Sequence, residues 1–237
     1  MNILKKLRSN IPNGITCLNV LCGTIAILIS AHPHLSYGLT AWQWASLFIV
    51  LAAVADFFDG FAARMLHESH PIGADLDSLS DQVSFGVAPG VLLAFNLWGN
   101  VPLWLAFAPA ILPVATAVRL AKFNVDTRQT TGFLGMPVPA NAVFWIGYVA
   151  SMKDGAQWLA CPWVLIPVLL FVSWLMVSEV PMLSLKFKTW GFKDNLARYL
   201  LIIGSAGLLI CLQLRGMLWV IVFYIIMSLL FARKQSK

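Results

Sequence analysis

Six of the ten acidic residues, Asp56, Asp59, Glu68, Asp75, Asp77 and Asp81, fall within 26 positions. Asp56 and Asp59 are three apart, so on a helix they share a face, which Gly60 and Ala63 extend. Gly73, Asp77 and Asp81 stand at intervals of four and would line one face of a following helix. Asp75 is out of phase with that ladder and is expected to face solvent or the loop. Two antiparallel helices joined between these groups would aim four carboxylates at each other. Such a group must be protonated, paired with cations or bound to metal. Arg64 is the one arginine nearby and cannot balance four anions. An all-oxygen ligand set suits Mg²⁺ or Mn²⁺, and two such ions about 3.5–4 Å apart are the usual arrangement in phosphoryl transfer. Small residues at 60, 63 and 73 leave room for a phosphorylated ligand against the backbone. Spacing alone leaves two chemistries open, metal-assisted phosphoryl transfer and ion or proton translocation.

The elements carrying these acids are greasy. Of 237 residues, 59% are hydrophobic and 11% charged, where soluble domains have roughly 45–50% and about 25%. Mean hydropathy is +0.81. A soluble body of this size could not hide that much apolar surface. The chain is therefore expected to be an all-α, polytopic integral membrane bundle. A bilayer core of about 30 Å takes roughly 20 apolar helical residues. That ruler gives eight candidate spans, near 14–32, 40–63, 77–97, 101–120, 138–152, 159–178, 195–212 and 216–232. The last two read as a C-terminal hairpin. The first follows Lys5, Lys6 and Arg8 like a signal peptide, yet its polar row of Asn13, Thr16 and Asn19 marks it as retained.

With eight spans, fourteen of the sixteen Lys and Arg residues lie on the side of both termini, leaving Lys153 and Arg215 opposite. The positive-inside rule then puts both termini, and the acidic cluster, in the cytoplasm of a cell with this chain in its inner membrane. Scattered loop charges of this kind do not form a nucleic-acid surface, and no nucleic-acid partner is expected. Four cysteines (Cys17, Cys22, Cys161, Cys211) have no metal-ligand spacing and read as small buried hydrophobes. No repeat or long linker divides the chain, so residues 1–237 read as one membrane domain.

Residues 56–81 read D-F-F-D-G-F-A-A-R-M-L-H-E-S-H-P-I-G-A-D-L-D-S-L-S-D. This stretch resembles the signature of the CDP-alcohol phosphatidyltransferase family, D-x2-D-G-x2-A-R-x8-G-x3-D-x3-D, and fills every fixed position. The resemblance implies a six-helix catalytic core, about residues 11–190. It implies that Asp56, Asp59, Asp77 and Asp81 hold two divalent cations, Mg²⁺ or Mn²⁺. Asp81 would also be the general base, and Gly60, Ala63, Arg64 and Gly73 the nucleotide-binding positions. Where relatives often carry Ser or Thr, this chain has His70, with Ser69 beside it. Flanking blocks resemble the serine-using members of that family. They are I-P-N-G-I-T-C-L-N-V-L-C-G (11–23), S-D-Q-V-S-F-G-V-A-P-G (80–90), R-L-A-K-F-N-V (119–125), G-F-L-G-M-P-V-P-A (132–140) and M-V-S-E-V-P (176–181). The implied substrates are CDP-diacylglycerol and L-serine, and the implied products phosphatidylserine and CMP. Family resemblance also implies a homodimer.

Smaller signals carry two readings each. Arg119 and Lys122 would bind the acceptor carboxylate or a phosphate, or serve as ordinary positive-inside anchors. Asn13, Thr16 and Asn19 are expected to stitch the first span to its neighbours rather than touch substrate. Lys186, Lys188, Lys193 and Arg198 read as a cytoplasmic basic patch.

Overall fold

The structure, a computed structural model, describes residues 3–66, 72–126, 133–183, 191 and 195–235. The expectations at Ser69, His70, Lys186, Lys188 and Lys193 lie outside the described residues. The chain divides into two compact units, Met1–Leu120 and Ala121–Lys237.

In the first unit, α1 (Ile3–Ser30) leads through a two-stranded turn, β1 (Ser36–Tyr37) and β2 (Leu39–Thr40), into α2 (Ala41–Leu66). Thr40 closes the start of α2 with a capping arrangement. Its backbone N–H and hydroxyl both donate to Gln43 Oε1, at 2.9 and 2.8 Å, satisfying a donor that a bare helix start leaves open. Ala26 of α1 and Ala45 and Ala52 of α2 are fully buried; small side chains of this kind let helix backbones approach closely. Next comes α3 (Gly73–Asp81), a π-helical turn (Gln82–Val87) and α4 (Ala88–Leu97), which run on without a break. A short α5 (Leu103–Ala106) and a 3₁₀ turn then feed α6 (Ile111–Val125), which crosses into the second unit.

The second unit is built around α7 (Val138–Lys153), buried at twelve positions on all sides. A helix that is apolar all round belongs inside a bundle. Its two largest polar-tipped side chains are satisfied there. Trp145 Nε1 donates to Asn141 Oδ1 at 2.8 Å, and Tyr148 OH donates to the Leu159 carbonyl at 2.8 Å. Around it come α8 (Pro162–Val177), β4 (Pro181–Met182), α9 (Leu196–Leu212) and α10 (Gly216–Gln235), with β3 (Phe133–Leu134) paired antiparallel to β4. Arg215 Nε lies 2.7 Å from Asp154 Oδ2. That pair brings the α7–α8 turn and the α9–α10 turn to one end of the unit, as the charge count expected.

Each of the eight expected spans coincides with helix. By length and hydropathy, four described stretches suffice to cross a membrane: Ile11–Ser30, Ala41–Leu66, Leu103–Val125 and Leu196–Phe231; Pro162–Val177 is a shorter apolar helix. The last stretch is a hairpin rather than one rod. Gln213, at φ 51°, turns the chain, and α10 folds back with Phe223 against Gly204. The chain is a helical membrane bundle, and its exposed Ile203, Ile210, Val114 and Phe171 are the lipid-side residues such a bundle has.

Two expectations change. Cys17, Cys161 and Cys211 are exposed and Cys22 is half-buried, rather than buried as a set; all four are free thiols. In a membrane protein an apolar residue is at home on the outer face too, so apolar surroundings in sequence do not imply burial by protein. Arg198 is buried, with its guanidinium donating to Asn195 Oδ1 at the start of α9. It is not part of an exposed basic patch.

Candidate metal centre and active site

The end of α2 and the start of α3 bring the acidic ladders together. One carboxylate oxygen each from Asp56, Asp59 and Asp77 lie within 4.8 Å of one another. Asp59 is buried, and Asp75 is exposed, as its phase required. Asp59 Oδ2 and Asp77 Oδ1 are shut off from solvent with no hydrogen-bond partner. Unpartnered buried carboxylate oxygens are costly, and converging ones repel. A hard divalent cation removes both costs, so the donor set fits Mg²⁺ or Mn²⁺.

The polar row of α1 runs along this group. A Cβ on Gly73 would lie 3.6 Å from Asn13 Oδ1, so Asn13 borders the first glycine of the α3 ladder. Thr16 stands beside Asp59, and its hydroxyl also donates to the Pro12 carbonyl at 3.0 Å. Asn19, fully buried, donates from Nδ2 to Asp81 Oδ1 at 3.1 Å. Its own carbonyl accepts from Ser84 Oγ at 3.0 Å. Asp81, near enough to Asp56, Asp77 and Asp59 for their charges to repel, is thus also held from α1, and its burial matches that of Asp59. The sequence showed the row but not its neighbour; the spacing of three that singled out Asn13, Thr16 and Asn19 is what lets one face of α1 follow the acids.

The other expected site residues fall in two places. Arg64 is exposed, with Nη1 3.7 Å from where a Cβ on Gly60 would stand. Gly60, Ala63 and Arg64 therefore continue the Asp56–Asp59 face along the last turns of α2. Arg119 is buried near the end of α6. Lys122, one turn on, is exposed and its Nζ donates to the Val177 carbonyl at 3.0 Å. A cation there caps the carbonyl end of α8, so the structure gives Lys122 a positioning task in the second unit.

The flanking blocks also have structural roles. Gly135 N donates to the Val180 carbonyl at 2.8 Å, and Met136 N to the Leu175 carbonyl at 3.1 Å. With Lys122 on Val177, parts of the blocks at 119–125, 132–140 and 176–181, namely Lys122, Gly135 and Met136, and the stretch 175–180, meet in the second unit. The blocks at 11–23 and 80–90 meet in the first, through Asn19, Asp81 and Ser84.

Residues 9–185 match the profile of the CDP-alcohol phosphatidyltransferase family. Three similar proteins bear the name CDP-diacylglycerol–serine O-phosphatidyltransferase. One from Mycobacterium leprae is 33% identical over 183 residues, covering 73% of this chain and 57% of the relative. One from Methanocaldococcus jannaschii is 36% identical over 138 residues, 58% of this chain and 59% of the relative. One from Bacillus subtilis is 36% identical over 129 residues, 54% of this chain and 69% of the relative. The chain thus spans less than two thirds of the length of the mycobacterial and archaeal relatives. No solved structure matches it. With the whole D-x2-D-G-x2-A-R-x8-G-x3-D-x3-D signature inside the matched region and three of its four aspartates converging, the chain belongs to the CDP-alcohol phosphatidyltransferase family.

Proposed function

We propose that this protein transfers the phosphatidyl group of CDP-diacylglycerol to the hydroxyl of L-serine, giving phosphatidylserine and CMP. The observation that carries the reading is the convergence of Asp56, Asp59 and Asp77 beside an Asp81 that Asn19 hydrogen-bonds. The serine assignment draws on the names of the three relatives and on the flanking blocks.

In this reading Asp56, Asp59, Asp77 and Asp81 hold two divalent cations, Mg²⁺ or Mn²⁺. Bound there, the cations supply Lewis-acid stabilisation of charge on the diphosphate. Gly60, Ala63 and Gly73 let the nucleotide lie against helix backbone, and Arg64 pairs with its phosphate. A serine hydroxyl is a weak nucleophile at neutral pH, so Asp81 takes its proton. The serine oxygen bonds to the lipid-side phosphorus, the bond from that phosphorus to the CMP oxygen breaks, and CMP leaves with the electron pair. Transfer is direct and in line, with no covalent enzyme intermediate. In the same reading Arg119 binds the acceptor's carboxylate, and Lys122 fixes the end of α6. The two units work as one catalytic domain with a C-terminal hairpin, a reading supported by the family match running across both, from 9 to 185. Cytoplasmic termini in the inner membrane rest on the charge bias, and a homodimer on family resemblance.

The test is product identity. Purified protein in detergent receives CDP-diacylglycerol with serine, glycerol 3-phosphate or inositol separately, and lipid products are identified by mass spectrometry. Phosphatidylserine from serine alone supports the assignment. Product from another acceptor keeps the chemistry and overturns the serine reading. No product, with Mn²⁺ flux in proteoliposomes, returns the cluster to ion translocation.

A further inference from the structure

Asn19 is a polar side chain buried completely inside a membrane-type helix. Polar side chains in such helices are costly unless they bond a partner. The partner here is Asp81 Oδ1, 62 residues away in sequence, at 3.1 Å. The amide's own Oδ1 remains buried without a partner, a cost set against this one contact. Two further features fix the amide. Ser84 Oγ holds the Asn19 carbonyl at 3.0 Å, and α1 approaches the π-helical turn so closely at Gly23 that a Cβ there would clash with Ser84. That π turn begins at Gln82, directly after Asp81, and such turns often sit at functional sites. Among the described residues, no other side chain hydrogen-bonds the Asp81 carboxylate.

We propose that Asn19 is a positioning residue for Asp81: its amide holds one carboxylate oxygen, sets the plane of the group, and leaves the second oxygen to take the acceptor's proton. The inference rests on the transferase reading above and deepens it. Without the amide, the Asp81 carboxylate is free to turn, and neither of its oxygens is held ready for the acceptor's proton. Substrate binding is untouched, because Asn19 is completely buried.

The test compares Asn19→Leu, which keeps the bulk and removes the donor, with Ser84→Ala, which removes the backbone tether and keeps the donor. CMP release gives kcat and the KM for each substrate, and Mn²⁺ binding is followed by electron paramagnetic resonance. Asn19→Leu is expected to lower kcat by about ten- to a hundred-fold, part of the usual contribution of a general base. Both KM values should stay within about threefold, with Mn²⁺ binding retained. Ser84→Ala should lower the melting temperature and cost kcat less than Asn19→Leu does, because the donor remains. On an Asp81→Asn background, Asn19→Leu should add almost nothing, as expected of residues acting as a unit. Where Asn19→Leu fails to fold, Asn19→Ser, too short to reach Asp81, takes its place with the same expected loss. A folded variant with kcat near wild type, a rise in KM alone, or additive losses with Asp81→Asn would overturn the proposal. If wild type uses glycerol 3-phosphate instead of serine, the serine reading fails while the kcat comparison is made with that acceptor. No CMP release from wild type with any acceptor sinks both.

Discussion

A Cβ on Gly23 would stand 2.3 Å from Ser84 Oγ and 2.7 Å from Ser84 Cα. No side chain fits between α1 and the π turn at that point. The close approach is what carries Asn19, one helical turn earlier, to Asp81. Gly23→Ala should therefore destabilise the protein by about 1–3 kcal/mol through overpacking, and it should cost activity as well. Ser84→Gly, in combination, removes Oγ and Cβ and leaves the backbone Cα, so it relieves part of the collision. Thermal unfolding in detergent should show the double variant recovering part of the lost melting temperature. A double variant as unstable as Gly23→Ala alone would mean that the contact is not the constraint.

Metal should stabilise the protein in a way the aspartates account for. A cation bound only by the folded state adds about 2.7 kcal/mol at a hundred times its dissociation constant. Wild type is expected to melt higher with Mn²⁺ than in EDTA. Asp77→Asn removes one of three converging charges. In EDTA it should be at least as stable as wild type, because repulsion is relieved, and Mn²⁺ should raise its melting temperature much less. Equal Mn²⁺ shifts in the two proteins would remove Asp77 from the ligand set.

Two glycines should respond in opposite directions. Gly135 has φ 76° and its missing Cβ would stand 2.6 Å from the carbonyl oxygens of Met176 and Ser178. Gly135→Ala pays for the left-handed backbone, about 1–2 kcal/mol, and for the collision besides. It should lower stability strongly and reduce folded yield. Gly14, on α1, has nothing within 4 Å of its missing Cβ. Gly14→Ala should stabilise by about 0.5–1 kcal/mol from helix propensity. Melting temperatures of the two variants check both signs.

The Asp154–Arg215 pair is a different kind of contact. Its side chains are 58% and 46% exposed. Solvent-exposed pairs contribute about 0–1 kcal/mol and are screened by salt. Asp154→Asn should shift the melting temperature only slightly, less at high salt, and leave CMP release unchanged. A large loss would mean that the two turns depend on this pair rather than on Tyr148 bonding the Leu159 carbonyl.

What the sequence carried well was local. Apolar runs located every helix, because hydropathy and helix length both follow from the bilayer. The intervals at 56–59 and 73–77–81 put the aspartates on facing sides, because helical phase is fixed by spacing. Pairings across the fold were not legible. Asn19 could be recognised as part of a polar row, but its bond to Asp81 depends on how α1 leans on α3. Lys122 looked equally like a ligand and an anchor, and only the placement of α8 shows its amine on Val177. The π turn after Asp81 left no mark in the hydrophobic pattern, since one extra residue per turn barely shifts a short apolar run. Exposure of the cysteines was misread because a membrane bundle is apolar outside as well as inside.

The most direct test of the central claim is CMP release by purified wild type, Asp77→Asn and Asp81→Asn given CDP-diacylglycerol and serine, in Mn²⁺, Mg²⁺ or EDTA. Release by wild type should require a divalent cation and should fall by at least about a hundred-fold in each variant. Release that persists in EDTA, or in folded Asp81→Asn at the wild-type rate, would contradict a reaction carried out by these carboxylates.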